Sequence, residues 1–449
     1  MISFVTLLLG LVSGPRPVEV AAAGEVAEVA ILLDGAEVAR LRGGERRAVV
    51  DFGPLAPHLL EAVARDAGGR ELGRASQAVN LPRGAAAAEW AVESSAGGLP
   101  TVVRLVHETL WPGGVESIEA TLDGARLEVG ADGRVELPPY DPGEIHLLRG
   151  AVRFGSGAAA TAELAFAGRF GDSVRTELTA VPLRATRGRP SVKTLAGSLA
   201  AGGRPLEVAA VDHGPADVIL VRDAVSQEDL ERLAVLVGLR YRTTRRELRH
   251  ATAPLPLRDG TRVRFVWPVV VAPGAAGPPD PRAFAVERGL PAGRDGLFVL
   301  LRDVEPPAVP QAIADAVAVA ADLVAAPGRP RAVVLALDPA TPDVSEHDPC
   351  EVRAFLARLR VPLVVWTTGS ADEVDPAWGE VAEIASWTDL RRAVRHLREQ
   401  LDSQTVAWVE GSWLPDRIVP AASPDAPVLA GADPGLAAEC GGLSQQNER

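Results

Sequence analysis

The stretch Arg331-Ala332-Val333-Val334-Leu335-Ala336-Leu337-Asp338 indicates the fold class of the C-terminal half of this sequence. Its apolar residues are continuous and do not alternate with polar ones, which is typical of a strand buried on both faces of a parallel sheet. Residues 218–221 and 361–366 have the same character, and residues 313–324 have the apolar spacing of a helix. Strands that alternate with helices predict a doubly wound α/β domain, which we place at residues 216–415.

The N-terminal part of the chain has the short alternating segments of an all-β fold. Apolar residues alternate with others at residues 29–33, and Asp34-Gly35 is a hairpin turn signal. Further short strands and turns follow, including the turn signal Asp123-Gly124. The pattern predicts two β-sandwiches, the first over residues 1–83 and the second over residues 87–184.

Several stretches connect or follow these domains. The last strand of the second sandwich is expected at Val174–Val181. Residues 185–215 contain repeated glycines and predict a linker, and residues 416–449 are rich in Ala, Pro, Gly and Asp and predict a disordered tail. Residues 155–160 have the letters of a dinucleotide-binding loop, but the residues after them alternate as in a strand, so we predict a hairpin there.

Three motifs in the first predicted sandwich occur in an order seen in a known family. They are Val12-Ser13-Gly14, Asp34-Gly35, and His58-Leu59-Leu60-Glu61-Ala62-Val63-Ala64-Arg65-Asp66. In this order they resemble the bacterial Ig-like domains. The resemblance implies that Ile2–Leu9 is the first strand, which argues against the alternative that residues 4–12 are the core of a cleaved signal peptide. That apolar run is also too short to span a bilayer, so we expect no integral membrane segment.

The C-terminal domain also has an order of elements seen in a known family. The strand at 331–337 is followed by a helix with Asp348 as its N-cap, then by the strand at 361–366, and finally by a helix capped by Thr388 and a strand at Val406–Val409. This order resembles the von Willebrand factor A-like domains of bacterial proteins. The resemblance implies a binding module, often one that uses a Mg²⁺ ion.

The metal site that the resemblance implies is incomplete in this sequence. Asp223 matches the Asp of the family's Asp-x-Ser-x-Ser loop, but Val225 and Gln227 stand at the two serine positions, and Ser226 is one residue out of phase. Asp338 matches the family's later Asp. Mg²⁺ requires near-octahedral oxygen coordination, so we expect a degenerate site that holds no metal. Binding of Mg²⁺ or Mn²⁺ and a carboxylate ligand through Asp223 and Asp338 is the alternative.

A second polar cluster lies in the loop after the strand at 331–337. It contains Asp343, Ser345, Glu346, His347 and Asp348. Carboxylates with a histidine can bind metal or perform acid–base chemistry, which gives a second alternative, a hydrolase that uses this loop. We favour an exposed loop that ends in a helix cap. The sequence has no G-x-S-x-G, H-E-x-x-H or Walker motif, so we predict a protein that is not an enzyme.

Composition limits the possible partners. The net charge is −13, and polyanion binding requires clustered Lys or Arg. The basic stretch Arg240–Arg249 is diluted by Glu247, so we expect no nucleic-acid partner. We also expect Cys350 and Cys440 to remain unpaired, because Cys440 lies in the predicted disordered tail, and the cellular compartment is left open, with an extracytoplasmic location among the possibilities.

These observations together predict a multidomain protein, with two all-β Ig-like sandwiches followed by an α/β domain of the von Willebrand factor A or Rossmann-like type. The predicted function is non-catalytic protein interaction or scaffolding. The expected partner is another protein, and no cofactor is expected.

Overall fold

The computed structural model describes most of the chain. The described residues are 2–81, 86–96, 99–110, 113–167, 178–184, 188–223, 257–270, 284–286, 290–291, 311–325, 328–421, 427–431, Leu436 and Cys440. They belong to two compact units, Met1–Arg175 and Thr176–Arg449. Within these residues, no helix combines the length and the apolar character needed to cross a membrane.

Seven short strands form the first β-sandwich of the N-terminal unit. They are β1 (Ile2–Phe4), β2 (Pro15–Ala22), β3 (Glu28–Leu33), β4 (Ala36–Arg42), β5 (Arg47–Asp51), β6 (His58–Arg65) and β7 (Glu71–Val79). One sheet has the order β1-β2-β5 and the other has the order β4-β3-β6-β7. Phe4, Val18, Ile31 and Leu60 lie in the common core, so this sandwich is Ig-like or fibronectin-like, as the alternation predicted.

The first strand is shorter than the predicted Ile2–Leu9. After Phe4 the chain stays in the core without ladder pairing, and Leu9 and Val12 are buried. Two buried amide side chains satisfy its backbone instead. The Leu8 N–H donates to Gln77 Oε1 at 3.2 Å, and the Val12 N–H donates to Asn80 Oδ1 at 2.7 Å.

The second sandwich repeats this topology. Its strands are β8 (Ala86–Ala96), β9 (Leu99–Thr109), β10 (Val115–Leu122), β11 (Ala125–Leu127), β12 (Arg134–Glu136), β13 (His146–Phe154) and β14 (Ala159–Phe166). The sheets have the orders β12-β9-β8 and β11-β10-β13-β14, which are the orders of the first sandwich with each strand number raised by seven. The glycine-rich residues 155–158 form the predicted hairpin, closed by a hydrogen bond from the Phe154 N–H to the Ala158 carbonyl.

Both sandwiches contain the same histidine–aspartate clamp. Asp34 Oδ2 lies 2.8 Å from His58 Nδ1, and Asp34 Oδ1 accepts the backbone N–H that follows this histidine. Asp123 Oδ2 lies 2.7 Å from His146 Nδ1, and Asp123 Oδ1 again accepts the following N–H. Each aspartate has a positive φ, 53° and 51°, and precedes a hairpin glycine. The two sandwiches are therefore structural repeats of one unit.

The C-terminal unit contains fourteen strands and four α-helices among the described residues. The strands are β15 (Leu178–Arg184), β16 (Leu199–Ala201), β17 (Arg204–Pro205), β18 (Val208–Asp212), β19 (Asp217–Arg222), β20 (Arg262–Val270), β21 (Phe284–Val286), β22 (Leu290–Pro291), β23 (Arg331–Leu337), β24 (Leu363–Thr367), β25 (Val381–Glu383), β26 (Gln404–Glu410), β27 (Ile418–Pro420) and β28 (Val428–Leu429). The helices are α1 (Val192–Leu195), α2 (Ile313–Ala325), α3 (Pro349–Arg358) and α4 (Trp387–Asp402).

A mixed sheet with the order β21-β20-β19-β23-β24-β25 forms the centre of this unit. Five of its strands are parallel to one another, namely β20, β19, β23, β24 and β25. The edge strand β21 and the short strand β22 pair antiparallel with β20. Every residue of β19 and β23 is buried, which confirms the interpretation of the apolar run at 331–337. The apolar spacing of residues 226–237 also predicts a helix and the apolar run at 296–301 a strand, and both segments lie outside the described residues.

Helices cover the sheet. The apolar face of α4 packs in one core cluster with Val218, Leu220 and Val334, and α2 contacts β19, β20 and β23. Asp348 caps α3 as predicted, since its Oδ1 accepts the Glu351 N–H at 2.9 Å. The predicted cap Thr388 is wrong, because α4 begins earlier and the Ser386 side chain accepts the Asp389 N–H.

The predicted linker and tail form a third, smaller β-sandwich instead. Its sheets have the orders β18-β26-β15-β28 and β17-β16-β27, around a core that includes Leu183, Leu199, Val409 and Ile418. The strand expected to close the second sandwich therefore belongs here, because β15 pairs along its full length with β26. The strand expected to close the α/β domain, at 406–409, also belongs to this sandwich.

Cys350 and Cys440 form a disulfide with a Cα–Cα distance of 5.7 Å. The prediction that they remain unpaired is wrong, because part of the predicted tail is ordered. β28 pairs with β15, and the Gly431 backbone packs directly against Val361. Gly431 therefore lies beside the end of α3, and the disulfide joins Cys440 to the first turn of the same helix.

Candidate functional site

The candidate site lies at the carboxyl ends of the central parallel strands. Connections run to opposite sides from β19 and β23, so the crevice between their ends is the topological switch point where α/β sheets bind ligands. Asp223 directly follows β19, and Asp338 directly follows β23. The structure brings these two predicted residues together, since the Asp338 N–H donates to Asp223 Oδ2 at 2.6 Å.

A threonine that the sequence did not identify joins this pair. The Thr341 hydroxyl donates to Asp223 Oδ2 at 2.5 Å, and Asp223 is fully buried. The signal available in the sequence was the position of Thr341, three residues after Asp338 in the loop that leaves the central strand. Asp223 therefore fixes the start of that loop through two hydrogen bonds to a single oxygen.

These residues do not by themselves fit a Mg²⁺ site. They provide two carboxylates and one hydroxyl, but Asp223 Oδ2 already accepts two hydrogen bonds, and Asp338 Oδ1 accepts the Ala340 N–H at 2.8 Å. Mg²⁺ takes six oxygens in near-ideal geometry. The remaining predicted position, Ser226, lies outside the described residues. The described residues contain no group of three or more His, Cys, Asp or Glu side chains that could hold a metal ion.

The loop after Asp338 connects the beginnings of two helices. The Asp343 carboxylate accepts the N–H groups of Ile313 and Ala314, at 2.8 and 3.1 Å, and so caps α2 from a distant part of the chain. Asp348 caps α3. The Ser345 hydroxyl accepts the Asp315 N–H in the first turn of α2. Three of the five predicted loop residues therefore satisfy helix N–H groups that would otherwise lack partners.

A buried histidine–aspartate pair lies beneath the same loop. His347 Nδ1 lies 2.7 Å from Asp315 Oδ1, and the Asp315 carboxylate also accepts the N–H groups of Glu346 and His347. Burial acts to lower the pKa of His347, but the hydrogen bond to Asp315 and the nearby carboxylates outweigh it and raise the pKa above its usual value. The Ser345 hydroxyl donates to Asp343 Oδ1 at 2.5 Å and accepts the Asp315 N–H at 3.1 Å, so it helps to hold the start of α2.

A cleft of about 430 Å³ opens between these elements. Its lining contains four exposed carboxylates, three from the loop and one from a short turn after β24, and a buried tryptophan. These residues are Asp343, Glu346, Asp348, Asp375 and Trp378. Among the described residues that line the cleft, none is Lys or Arg.

The cleft keeps a negative charge although two helices begin at it. The start of an α-helix carries about half a positive charge, and both α2 and α3 begin at this lining. Together they offset about one of the four carboxylates. The His347–Asp315 pair adds no net charge when the histidine is protonated, so a cationic group is the chemical complement of the cleft.

No family model and no curated protein matches this sequence. Among solved structures, the chain is similar to the fibronectin(III)-like modules of CbhA from Clostridium thermocellum, with 15% identity, a TM-score of 0.16, and coverage of 18% of this chain and 93% of that one. It is also similar to proximal thread matrix protein 1 from the mussel byssus, with 15% identity, a TM-score of 0.27, and coverage of 44% of this chain and 48% of that one. For the human COPII-coat protein Sec24c the values are 12% identity, a TM-score of 0.26, and coverage of 44% and 40%.

The chain thus spans about half the length of the mussel protein. One structure of that protein is described as having a zinc-occupied MIDAS motif. TM-scores of this size assign neither a family nor a function.

Proposed function

We propose that this chain is a non-catalytic protein-interaction protein whose α/β domain, a relative of the von Willebrand factor A domains, binds a basic segment of a partner protein. The observation that carries the proposal is the negatively charged cleft at the switch point of the sheet. Clefts in open α/β sheets form at this position because loops from neighbouring strands diverge there. The two repeated sandwiches would act as spacers or additional contact domains.

The roles of the polar residues support binding over catalysis. Asp343 and Asp348 hold the starts of two helices, and Asp223 holds the loop that begins at Asp338. Groups that already satisfy backbone donors contribute rigidity to a binding surface. The Glu346 carboxylate is exposed at the lining and is available to a cationic ligand.

A charged peptide tests this function directly. A fluorescein-labelled hexa-arginine peptide should bind the full-length protein, and fluorescence anisotropy measures the affinity. Glu346→Gln should weaken binding about threefold, which corresponds to the loss of one exposed ion pair. Raising the salt from 0.1 M to 1 M shortens the screening length from about 10 Å to about 3 Å and should abolish binding.

The control variant is Glu380→Gln, which changes an exposed carboxylate of the same domain outside the cleft lining. Equal losses in the two variants would show non-specific attraction to the acidic chain. A hexa-aspartate peptide that binds as tightly as the arginine peptide would refute the proposed charge preference.

The contact of Asp223, Asp338 and Thr341 favours a second candidate, binding of Mg²⁺ or Mn²⁺ with a carboxylate ligand. Oxygen ligands from outside these three residues would have to complete the coordination. Calorimetric titration with Mg²⁺ distinguishes the candidates, because binding heat that disappears in Asp338→Ala would support the metal site. We expect no such heat, since Asp223 Oδ2 is engaged by two donors.

The buried Asp315–His347 pair favours the hydrolase candidate, because a carboxylate that orients a histidine is a frequent part of hydrolytic sites. Ester and phosphate ester substrates test it. Turnover by the purified protein that disappears in His347→Gln would replace the proposed function with catalysis. We expect no turnover, because the Ser345 hydroxyl is directed to Asp343.

A further inference from the structure

The Cys350–Cys440 disulfide joins the C-terminal segment, which follows β28, to the rim of the candidate cleft at Asp348 and Pro349. Cys350 is the second residue of α3, and the two residues before it, Asp348 and Pro349, line the cleft. Both cysteines are half-buried, so a protein reductant can approach the bond. The sequence contains only these two cysteines, so no other thiol of the chain can exchange with them.

The same C-terminal segment is fixed at the other end of α3. A Cβ atom at Gly431 would lie 2.7 Å from the Val361 nitrogen, so the two backbones are in direct contact just after the helix ends. Arg360 strengthens this connection, because its guanidinium donates to the Asp416 and Ile418 carbonyls. α3 has ten residues and is therefore about 15 Å long. The disulfide thus provides the second of two attachment points, about one helix length from the first.

We propose that this disulfide is a redox-controlled tether, which in its oxidised form fixes the first turn of α3 and the adjoining cleft rim. A dithiol reductant of the thioredoxin class breaks the S–S bond, and two protein thiols form while the reductant becomes an intramolecular disulfide. The C-terminal segment is then released from the rim. Disulfides persist in oxidising compartments and are reduced in the cytosol, so the two states correspond to two environments.

The effect on the cleft follows from the position of the bond. The loop at 343–348 is attached to α2 through Asp343 and Asp315, whereas its far end depends on the first turn of α3. Loss of the tether frees that turn and allows Asp348 and Pro349 to move relative to Glu346. Reduction therefore weakens the binding of a cationic ligand, and this part of the inference rests on the proposed function.

Hydrogen exchange measured by mass spectrometry on the full-length protein tests the tether without any ligand. Amides of residues 350–353 should exchange at least about tenfold faster after reduction, as expected when a local structure loses its constraint. The Cys350→Ser/Cys440→Ser double variant should show the same fast exchange with and without reductant. Alkylation after reduction should add two labels, which verifies complete cleavage of the bond.

Two results would overturn the tether. One is unchanged amide exchange in residues 350–353 when two alkylation labels show full reduction. The other is a disulfide that a thioredoxin-class dithiol fails to reduce. The exchange of α4 provides the internal control, because this helix packs on another part of the sheet and its protection should not change.

The hexa-arginine peptide tests the consequence for binding. The oxidised protein should bind it at least about threefold more tightly than the reduced protein or the double variant, about 0.7 kcal/mol. Equal affinities would overturn the regulatory part of the inference. If the oxidised protein binds no peptide, the proposed function fails, and the exchange measurement alone decides whether the tether exists.

Discussion

Each N-terminal sandwich depends on one aspartate that has two roles. Asp34 and Asp123 adopt the left-handed backbone conformation before a hairpin glycine, which aspartate tolerates better than most residues. Their carboxylates then connect this hairpin to a strand through a histidine and a backbone N–H. The contact has an electrostatic component in the second sandwich. The hydrogen bond between the two side chains raises the pKa of His146 and lowers the pKa of Asp123.

The charged pair makes the stability of the second sandwich depend on pH. Because the pKa of His146 is raised on folding, its contribution is complete below about 6.5, the unfolded value, and is lost as the pH rises through the folded value. Because the pKa of Asp123 is lowered, its contribution is complete above about 3.8 and is lost as the pH falls through the folded value. The pair is therefore most stabilising between about pH 4 and 6.5.

Asp123→Asn should accelerate hydrogen exchange of β10 and β13 at pH 5.5, relative to the wild-type protein. The difference should shrink as the pH rises above the pKa of His146, since the neutral imidazole loses its charge interaction in the wild type as well. Asp132→Asn is the matched control, because Asp132 holds a turn of the same sandwich by accepting a backbone N–H, from Arg134. An equal effect of Asp123→Asn at pH 5.5 and pH 9 would refute the electrostatic account.

Some contacts between individual residues could be predicted from the sequence, and others could not. The repeat is visible in the identical tetrapeptides Leu33-Asp34-Gly35-Ala36 and Leu122-Asp123-Gly124-Ala125, each followed by a His-Leu-Leu tripeptide. The contact of Asp315 with His347 has no local signal, because it depends on how α2 packs beside a loop 32 residues later in the chain. Alternation predicts a strand or helix, but it does not predict which polar side chains meet.

At the level of elements, one buried arginine binds the ends of two helices at the edge of the sheet opposite the cleft. Arg331 begins β23 and is almost fully buried, and burial lowers its pKa to about 10. Its guanidinium donates to the Ala325 carbonyl at the end of α2 and to the Leu359 carbonyl at the end of α3, both at 3.0 Å. The final carbonyls of a helix lack partners and carry partial negative charge, so one cation satisfies two helices.

Arg331→Leu should lower the free energy of unfolding of the α/β domain by about 2–4 kcal/mol, because two buried carbonyls lose their donor. The measurement is urea denaturation followed by tryptophan fluorescence, to which Trp366, fully buried in the same sheet, contributes. Arg358→Leu removes an exposed arginine from α3 and should change the stability by less than about 0.5 kcal/mol. Similar losses in the two variants would show that the buried guanidinium has no special role.

Asp343→Ala should remove the cap of α2 and reduce stability by about 1 kcal/mol, the usual cost of losing an N-cap. The loss arises because the Ile313 and Ala314 N–H groups lose their acceptor. Hydrogen exchange in the first turn of α2 should rise, and the peptide affinity should fall with it. Asp372→Ala changes another exposed aspartate of this domain and should leave both readouts unaltered. An unchanged first turn in Asp343→Ala would refute the capping role.

The elements that the sequence predicted correctly are those with strong local patterns. The apolar runs of β19, β23 and β24 are buried strands, and the helical spacing of α2 and α3 is confirmed. The strands of the third sandwich were assigned wrongly for a physical reason. β15 and β26 each have a credible strand pattern, but they pair across more than 200 intervening residues, and no local periodicity indicates such a partner.

At the level of the whole C-terminal unit, the α/β domain is an insertion in a β-sandwich. The chain leaves the sandwich at the end of β18 and returns at the start of β26, and these strands pair directly, with Asp212 opposite Val406. An insertion whose two ends are adjacent leaves the host domain continuous. The host should therefore fold without its insert. The predicted start of the α/β domain at residue 216 lies between β18 and β19, whereas its predicted end at residue 415 lies beyond β26, which belongs to the host sandwich.

This topology predicts the behaviour of a minimal sandwich that begins at Leu178 and ends at Gly431, with Asn-Gly in place of residues 213–405. Asn-Gly favours the tight hairpin that would join the paired ends of β18 and β26. The product has about 60 residues, a size at which folding is possible but marginal, so it should show dispersed amide signals in NMR spectra and unfold cooperatively at a modest temperature. Leu183→Asp, which places a charge in the core of this sandwich, should abolish the dispersion. A minimal chain with the collapsed spectrum of this variant would show that the sandwich needs the α/β domain to fold, and that the two are one cooperative unit.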